Sequence, residues 1–145
     1  SGVPRAVLDG WVTDGLVEYL GETDDIRPFL HQADCIVLPS FYGEGVPRSL
    51  LEAAANARPV ITTDAVGCRD AVDAGITGLL CAARDATNLA RQMQVLLQMQ
   101  PRQRSSMGIA GRQKMEREFD EHFVIDAYLD RIAAICGSAE PNHTS

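Results

Sequence analysis

Apolar positions along the chain follow two rhythms. Unbroken apolar or β-branched runs at Cys35–Leu38, Pro59–Thr63 and Gly78–Cys81 have the length of strands buried on both faces of a parallel sheet. Leu16–Leu20, closing at Gly21, reads as a further short strand. Helical spacing predicts Asp24–Ala33, with Asp24 and Asp25 near its positive end and Pro28 tolerated in its first turn or so. A second helix is predicted at Pro47–Ala57, with Pro in its first turn, and a short one at Arg69–Ala74, stopped by Gly75. Everything after Cys81 is predicted helical: Ala86–Met99, a break at Pro101, Arg102–Glu118, and Glu121–Cys136 ending at Gly137.

Strands alternating with helices predict an α/β fold: a partial doubly wound, Rossmann-like parallel sheet of about four strands, with flanking helices and a helical C-terminus. No repeat or linker divides residues 1–137, read as one domain, and residues 138–145 read as a disordered polar tail. A chain of 145 residues with 46% hydrophobic content can bury a real core.

Charge narrows the function. A net charge of −7 is the opposite of a nucleic-acid footprint, so no nucleic-acid partner is expected. The basic residues are all Arg except Lys114. Of the four cysteines, none in C-x-x-C spacing, three lie in or beside apolar runs and read as reduced, buried thiols. His31, His122 and His143 do not cluster with them, so no zinc site is expected. No run reaches the ~20 apolar residues of a membrane helix. The chain begins at Ser1 without a signal peptide and reads as a piece of a longer cytosolic protein.

The chemistry concentrates in Pro39-Ser40-Phe41-Tyr42-Gly43-Glu44-Gly45-Val46-Pro47-Arg48-Ser49-Leu50-Leu51-Glu52. This segment leaves the C-terminal end of a buried strand, turns through two glycines and enters a helix. Ligands of open α/β sheets bind at such strand ends. No Ser, Thr, Asp or Asn stands immediately before Pro47, so the first helical amides, around Arg48 and Ser49, are available to an anion such as a diphosphate. Glu44 lies in the loop and Glu52 about 7 Å further along the helix. Two carboxylates so spaced can accept hydroxyl hydrogen bonds from separate parts of one extended polyhydroxy ligand. The competing reading makes both glutamates solvated surface residues.

Glu44 and Glu52, with seven residues between them, match the paired-glutamate motif of the family 4 glycosyltransferases, which have the two-domain GT-B architecture. The chain resembles that family over roughly Gly15 to Tyr128. The resemblance rests on an ordered set: Asp34-Cys35-Ile36-Val37-Leu38-Pro39-Ser40, the block Glu44–Ala53, Arg58–Asp64, Gly67–Val72 and Gly75–Leu80.

The resemblance implies the nucleotide-sugar-binding C-terminal domain of a retaining glycosyltransferase. It transfers a sugar from a nucleotide-diphosphate donor, UDP-linked by preference, to a glycan or lipid-linked acceptor. Glu44 would contact donor-sugar hydroxyls in a binding and electrostatic role, Gly45 and Val46 would offer amides, Glu52 would hold the ribose, and Leu51 would pack beside the nucleoside. Ser40 and Tyr42 would line the loop. Arg48 belongs to a Pro-Arg-Ser variant found among surface-polysaccharide enzymes; a phosphate contact and an internal salt bridge are both open to it. No metal or cofactor is implied, and the intact protein would be cytoplasmic or peripheral at the inner membrane face.

The chain departs from the family in lacking its upstream Gly-Arg-x-x-x-x-Lys-type cationic element and the acceptor domain, so by itself it is expected not to turn over. The alternatives are another GT-B enzyme, such as a sugar-nucleotide epimerase or phosphorylase, and a non-catalytic binding module. Phe123, Ala127, Ile132 and Ile135 give the last predicted helix an apolar face, through which the chain is expected to self-associate, or else to fold that helix back over the exposed edge of its own truncated sheet.

Overall fold

The computed structural model describes residues 3–40 and 46–119. The order of elements is α1 (Arg5–Thr13), α2 (Arg27–Gln32), β1 (Ile36–Leu38), α3 (Arg48–Ala55), β2 (Val60–Thr63), a 3-10 turn (Arg69–Ala71), β3 (Gly78–Cys81), α4 (Ala86–Gln98) and α5 (Pro101–Glu118). The strands form one parallel sheet in the order β1-β2-β3, with Ile36 opposite Val60 and Val60 opposite Gly78.

Alternation along the strands divides the core in two. Ile36, Leu38, Val60 and Leu80 pack with Leu30, Leu50 and Ala53, on the face covered by α2 and α3. Cys35, Val37, Ile61 and Leu79 pack with Leu89, Leu96 and Met107 from α4 and α5. Coverage of both faces explains why these strands read as continuous apolar runs. Thr62 is buried but satisfied, its hydroxyl donating to Leu38 O at 2.8 Å across the sheet. Gly78 is required by close approach: a Cβ there would lie 2.3 Å from Val60 O.

α5 also closes against α3, joining Met115 to Ala54 and Ala55. Gly108 is the crossing point, because a Cβ on it would stand 2.0 Å from Ala57 O. Lys114, a buried residue of this helix, is paired with Asp73 at 3.2 Å and with Glu118 one turn on. Burial alone would lower its pKa, but the hydrogen bonds to Glu118 and Asp73 outweigh it and hold the ammonium above its ordinary value.

Several expectations need correction. The described sheet has three strands instead of about four, because Leu16–Leu20 forms no strand. Leu16 is 69% exposed and Leu20 56%, and neither is covered by another strand. A strand needs a neighbour for its backbone groups, and none of the described strands pairs with this one. Helix α1 was not anticipated; it buries no residue and carries the i,i+4 pair Arg5–Asp9. The helix expected from Asp24 begins only at Arg27, where Asp25 accepts from both the Arg27 amide and its guanidinium. That guanidinium holds the Asp25 carboxyl below its usual range. The helix expected at Arg69–Ala74 is a single 3-10 turn, and Gly75 follows in the left-handed region at φ +80°. α5 starts at Pro101 itself, with the Gln103 side chain accepting from the Gln100 amide.

The Glu121–Cys136 helix, its proposed self-association and the tail at 138–145 lie outside the described residues. Cys35, Cys68 and Cys81 are free thiols, the last two buried and Cys35 half-buried. Desolvation raises the Cys35 thiol to about 11 and also pushes Cys81 up.

Candidate nucleotide-sugar site

The site is assembled around α3. Leu50, Ala53 and Ala55 are buried on its inner side, which locks the helix against the sheet and α5. Its C-terminus is held tightly. Ala57 takes a left-handed φ of 57°, the Arg58 amide bonds Ala53 O at 3.0 Å and the Ala57 amide bonds Ala54 O at 2.9 Å, which is a Schellman closure. Arg112 Nη1 donates to Ala55 O at 2.9 Å. The buried Asn56 donates Nδ2 to Glu52 O at 2.8 Å and meets His31 Nε2 through Oδ1 at 3.1 Å. Since Asn56 presents its oxygen, His31 Nε2 is the donor in that contact.

The N-terminus differs. Pro47, with φ −59° and ψ 134°, occupies the cap position, and no side chain among the described residues caps the helix. Its first turn contains no acidic residue. Pro47 O accepts from Leu50 N at 3.1 Å and Leu51 N at 3.4 Å, so the helix starts as expected, just after the loop leaving β1. The uncapped positive end of a helix is a ready anion site.

Of the predicted site residues, Val46, Arg48, Leu51 and Glu52 are described, whereas Glu44, Gly45 and Tyr42 lie outside the described residues. Val46 is half-buried against the α3 face of the core. Leu51 packs on the Ala54–Ala55–Met115 cluster with part of its surface open. Glu52 is partly sheltered and Arg48 is not: their side chains are 27% and 77% exposed, and Arg48 Nε donates to Glu52 Oε1 at 3.1 Å. Arg48 thus forms a salt bridge within the helix. Ser40, at the start of the loop, accepts from Cys68 Sγ through its carbonyl at 3.6 Å.

A neighbouring recess of about 260 Å³ opens at the carboxyl ends of the strands, lined by Pro39 after β1, Thr63 ending β2, Cys81 ending β3, and Arg84 and Asp85 before α4. Apart from Pro39, the sequence reading assigns these residues no part in a site. The signal was available, because each follows or ends a predicted parallel strand, where ligands of open sheets collect. Asp85 accepts from the Asn88 amide at 2.9 Å and caps α4, so that helix start is closed where the start of α3 is open.

Comparison with known proteins decides the family. Residues 3–99 match the family described as "Glycosyl transferases group 1". The chain belongs to that family.

Among curated members it is 31% identical over 119 residues to the N,N'-diacetylbacillosaminyl-diphospho-undecaprenol alpha-1,3-N-acetylgalactosaminyltransferase of Campylobacter jejuni, covering 82% of this chain and 31% of that protein. It is 35% identical over 126 residues to the glycogen synthase of Mycobacterium tuberculosis, covering 85% of this chain and 30% of that one. The chain therefore spans about a third of the length of these relatives. The crystal structure of Anabaena HepE in complex with UDP superposes with a TM-score of 0.72 at 19% identity, over 90% of this chain and 36% of HepE. At that identity the likeness establishes the fold, which is that of the group 1 glycosyltransferases. Among the described residues of this family member, no helix is long and apolar enough to cross a membrane.

Proposed function

We propose that the chain supplies the donor-nucleotide half of a retaining glycosyltransferase that moves a hexosyl group from a nucleoside-diphosphate sugar to a glycan or lipid-linked acceptor. The observation that carries this reading is the uncapped start of α3 with the half-sheltered Glu52 one turn beyond it. An anion-binding end and a hydroxyl acceptor stand on one rigid helix at the spacing a diphosphate and a ribose require. The diphosphate would lie at the amides around Arg48 and Ser49, the ribose diol at Glu52, and the donor sugar at Glu44 in the loop. HepE binds UDP, which supports UDP-sugars as the first donors to test. The Campylobacter relative acts on a diphospho-undecaprenol glycan, which supports a lipid-linked acceptor, and the Pro47-Arg48-Ser49 variant supports surface polysaccharide synthesis.

In the proposed reaction the bond from the anomeric carbon to the diphosphate oxygen breaks as the acceptor oxygen bonds to the same face of that carbon. The acceptor's proton passes to the leaving phosphate. No protein nucleophile is needed, and Glu44 stabilises charge near the sugar without serving as an acid. The reading requires no metal and places the work at the cytoplasmic side of the cell. The chain contains the acidic and backbone part of the site and no Gly-Arg-x-x-x-x-Lys element, so alone it binds nucleotide at millimolar concentration and does not turn over.

The test uses the full-length protein with a panel of nucleotide sugars, products being read by mass spectrometry and anomeric configuration by NMR. Glu52→Ala is expected to raise the donor KM by about tenfold or more, as for a lost hydrogen bond of about 1–3 kcal/mol, while Glu44→Ala chiefly lowers kcat. Wild-type kinetics in both variants, or an epimerised or phosphorolysed product, sinks the reading.

A further inference from the structure

α1 carries an apolar face that its own chain leaves uncovered. Val7, Leu8, Trp11 and Val12 fall on one arc of this helix at i,i+4 spacing, and the helix buries none of its residues. A helix of nine residues is marginal in water without tertiary packing, so α1 needs a surface to lie on. Its orientation is set locally: the Leu16 amide bonds Trp11 O at 2.9 Å, and the Arg5 guanidinium stands 4.9 Å from the centre of the Tyr19 ring. Arg5 also pairs with Asp9, which leaves the helix without net charge.

A matching surface lies along the outer strand of the sheet. Among the described strands β1 pairs only with β2. α4 packs over Ile61 and Leu79 through Leu89 and Leu96. Beside it a groove of about 310 Å³ stays open, lined by Cys35 and Val37 on one side and by Met93, Leu96 and Leu97 on the other. No residue of α1 lines it, and the Leu97 side chain is 70% exposed. A cavity of roughly 150 Å³ takes a benzene ring, so this groove has room for an indole.

We propose that α1 of a second copy docks in this groove through Trp11, and that the contact is returned across a two-fold axis. Each chain carries both halves, as a closed, self-complementary pair requires. The entering helix is neutral, so the repulsion between copies of net charge −7 acts at long range and is screened by salt. Over two contacts, the exposed parts of Val7, Trp11, Val12, Met93 and Leu97 bring the interface close to the ~1,000 Å² at which specific association begins. The pair is therefore a weak one.

Sedimentation velocity of the 145-residue chain from about 1 µM to 1 mM tests this. Trp11 is the only tryptophan, so its emission reports the contact directly. The wild-type chain is expected to pass from monomer to dimer, with Trp11 emission moving to shorter wavelength over the same range. Trp11→Ser and Leu97→Asp should each weaken the dimer by about tenfold or more, as truncation of a central anchor does. Both side chains are on the surface, and an unchanged melting temperature checks that the fold survives; should Leu97→Asp lower it, Met93→Ser takes its place. Mixing the two variants is the deciding step. A mixed pair keeps one intact contact, the Trp11 helix of the Leu97→Asp chain in the groove of the Trp11→Ser chain. Association should therefore tighten by about threefold or more over either variant alone. A chain that stays monomeric throughout overturns the proposal. So does a dimer indifferent to both substitutions, which would place the contact on another surface. Weakening without rescue on mixing, or short-wavelength Trp11 emission at every concentration, would mean that α1 closes on its own chain, and overturns it too.

Discussion

At the C-terminal end of α3 the carbonyls of Glu52, Ala53, Ala54 and Ala55 accept from Asn56, Arg58, Ala57 and Arg112, drawing partners from the helix itself, the following turn and α5. At the N-terminal end Pro47 holds the cap position and no side chain among the described residues caps the helix. One helix thus has a closed end that bears the packing and an open end that faces the loop from β1. The contrast teaches how a short element serves as a ligand platform: the closed end removes freedom, so the open end can leave polar groups for a ligand without loosening the fold.

The closed end is most sensitive where α5 crosses it. Gly108→Ala puts a methyl 2.0 Å from Ala57 O and 2.8 Å from Ala57 C, and backbone atoms do not yield as a flexible side chain does. Overpacking of this kind is expected to cost about 3 kcal/mol, read from urea denaturation of the chain. A loss below about 1 kcal/mol would show that α5 does not anchor α3 through this crossing.

Asn56 ties the same end to α2. Asn56→Ala removes the bonds to Glu52 O and His31 Nε2 at a buried site, and a loss of about 2 kcal/mol is expected by the same denaturation. A neutral result would mean that His31 and the Glu52 carbonyl find other partners and that Asn56 is no tie between the helices.

The open end responds in the opposite direction. Pro47→Asp supplies the missing cap and is expected to stabilise the chain by about 1 kcal/mol. In the full-length protein the same change should weaken nucleoside-diphosphate binding, because the new carboxylate occupies the amides and repels the anion. Raised stability with unaltered affinity would show that those amides are not the phosphate site.

The smallest expected change is at Ala57, whose φ of 57° lies where a Cβ is strained. Ala57→Gly should stabilise by about 0.5 kcal/mol, the relief of strain being partly offset by the greater freedom of glycine in the unfolded chain. Thermal melting of the chain measures it, and destabilisation would mean that the Ala57 methyl contributes packing beyond the turn.

Much of this contrast was legible beforehand. The absence of a Ser, Thr, Asp or Asn before Pro47 forecast an uncapped α3, because capping depends on one local side chain. The Schellman closure was not legible, since Ala57 carries no glycine signal and Arg112 arrives from far along the chain. The i,i+4 spacing of Arg48 and Glu52 alone cannot choose between a neighbour and a ligand for the guanidinium. The recess at Thr63, Cys81 and Arg84 is signalled only by the strand ends it borders, because its residues come from separate segments and share no motif.

The amino-acid sequence by itself determined β1, β2, β3, α3, α4 and most of α5, the parallel α/β class and the family. Those features follow from local periodicity and from an ordered set of residues around Glu44 and Glu52. Leu16–Leu20 shows where this determination stops. Its residues have strand character, yet they remain exposed and pair with no described strand, because a strand exists only when another chain segment satisfies its amides and carbonyls and covers its side chains. The tertiary structure alone decided that question, the crossing of α5 over α3 at Gly108, and the closure of the α3 C-terminus by Arg112. Each depends on contacts between segments distant in the chain, which no local pattern encodes.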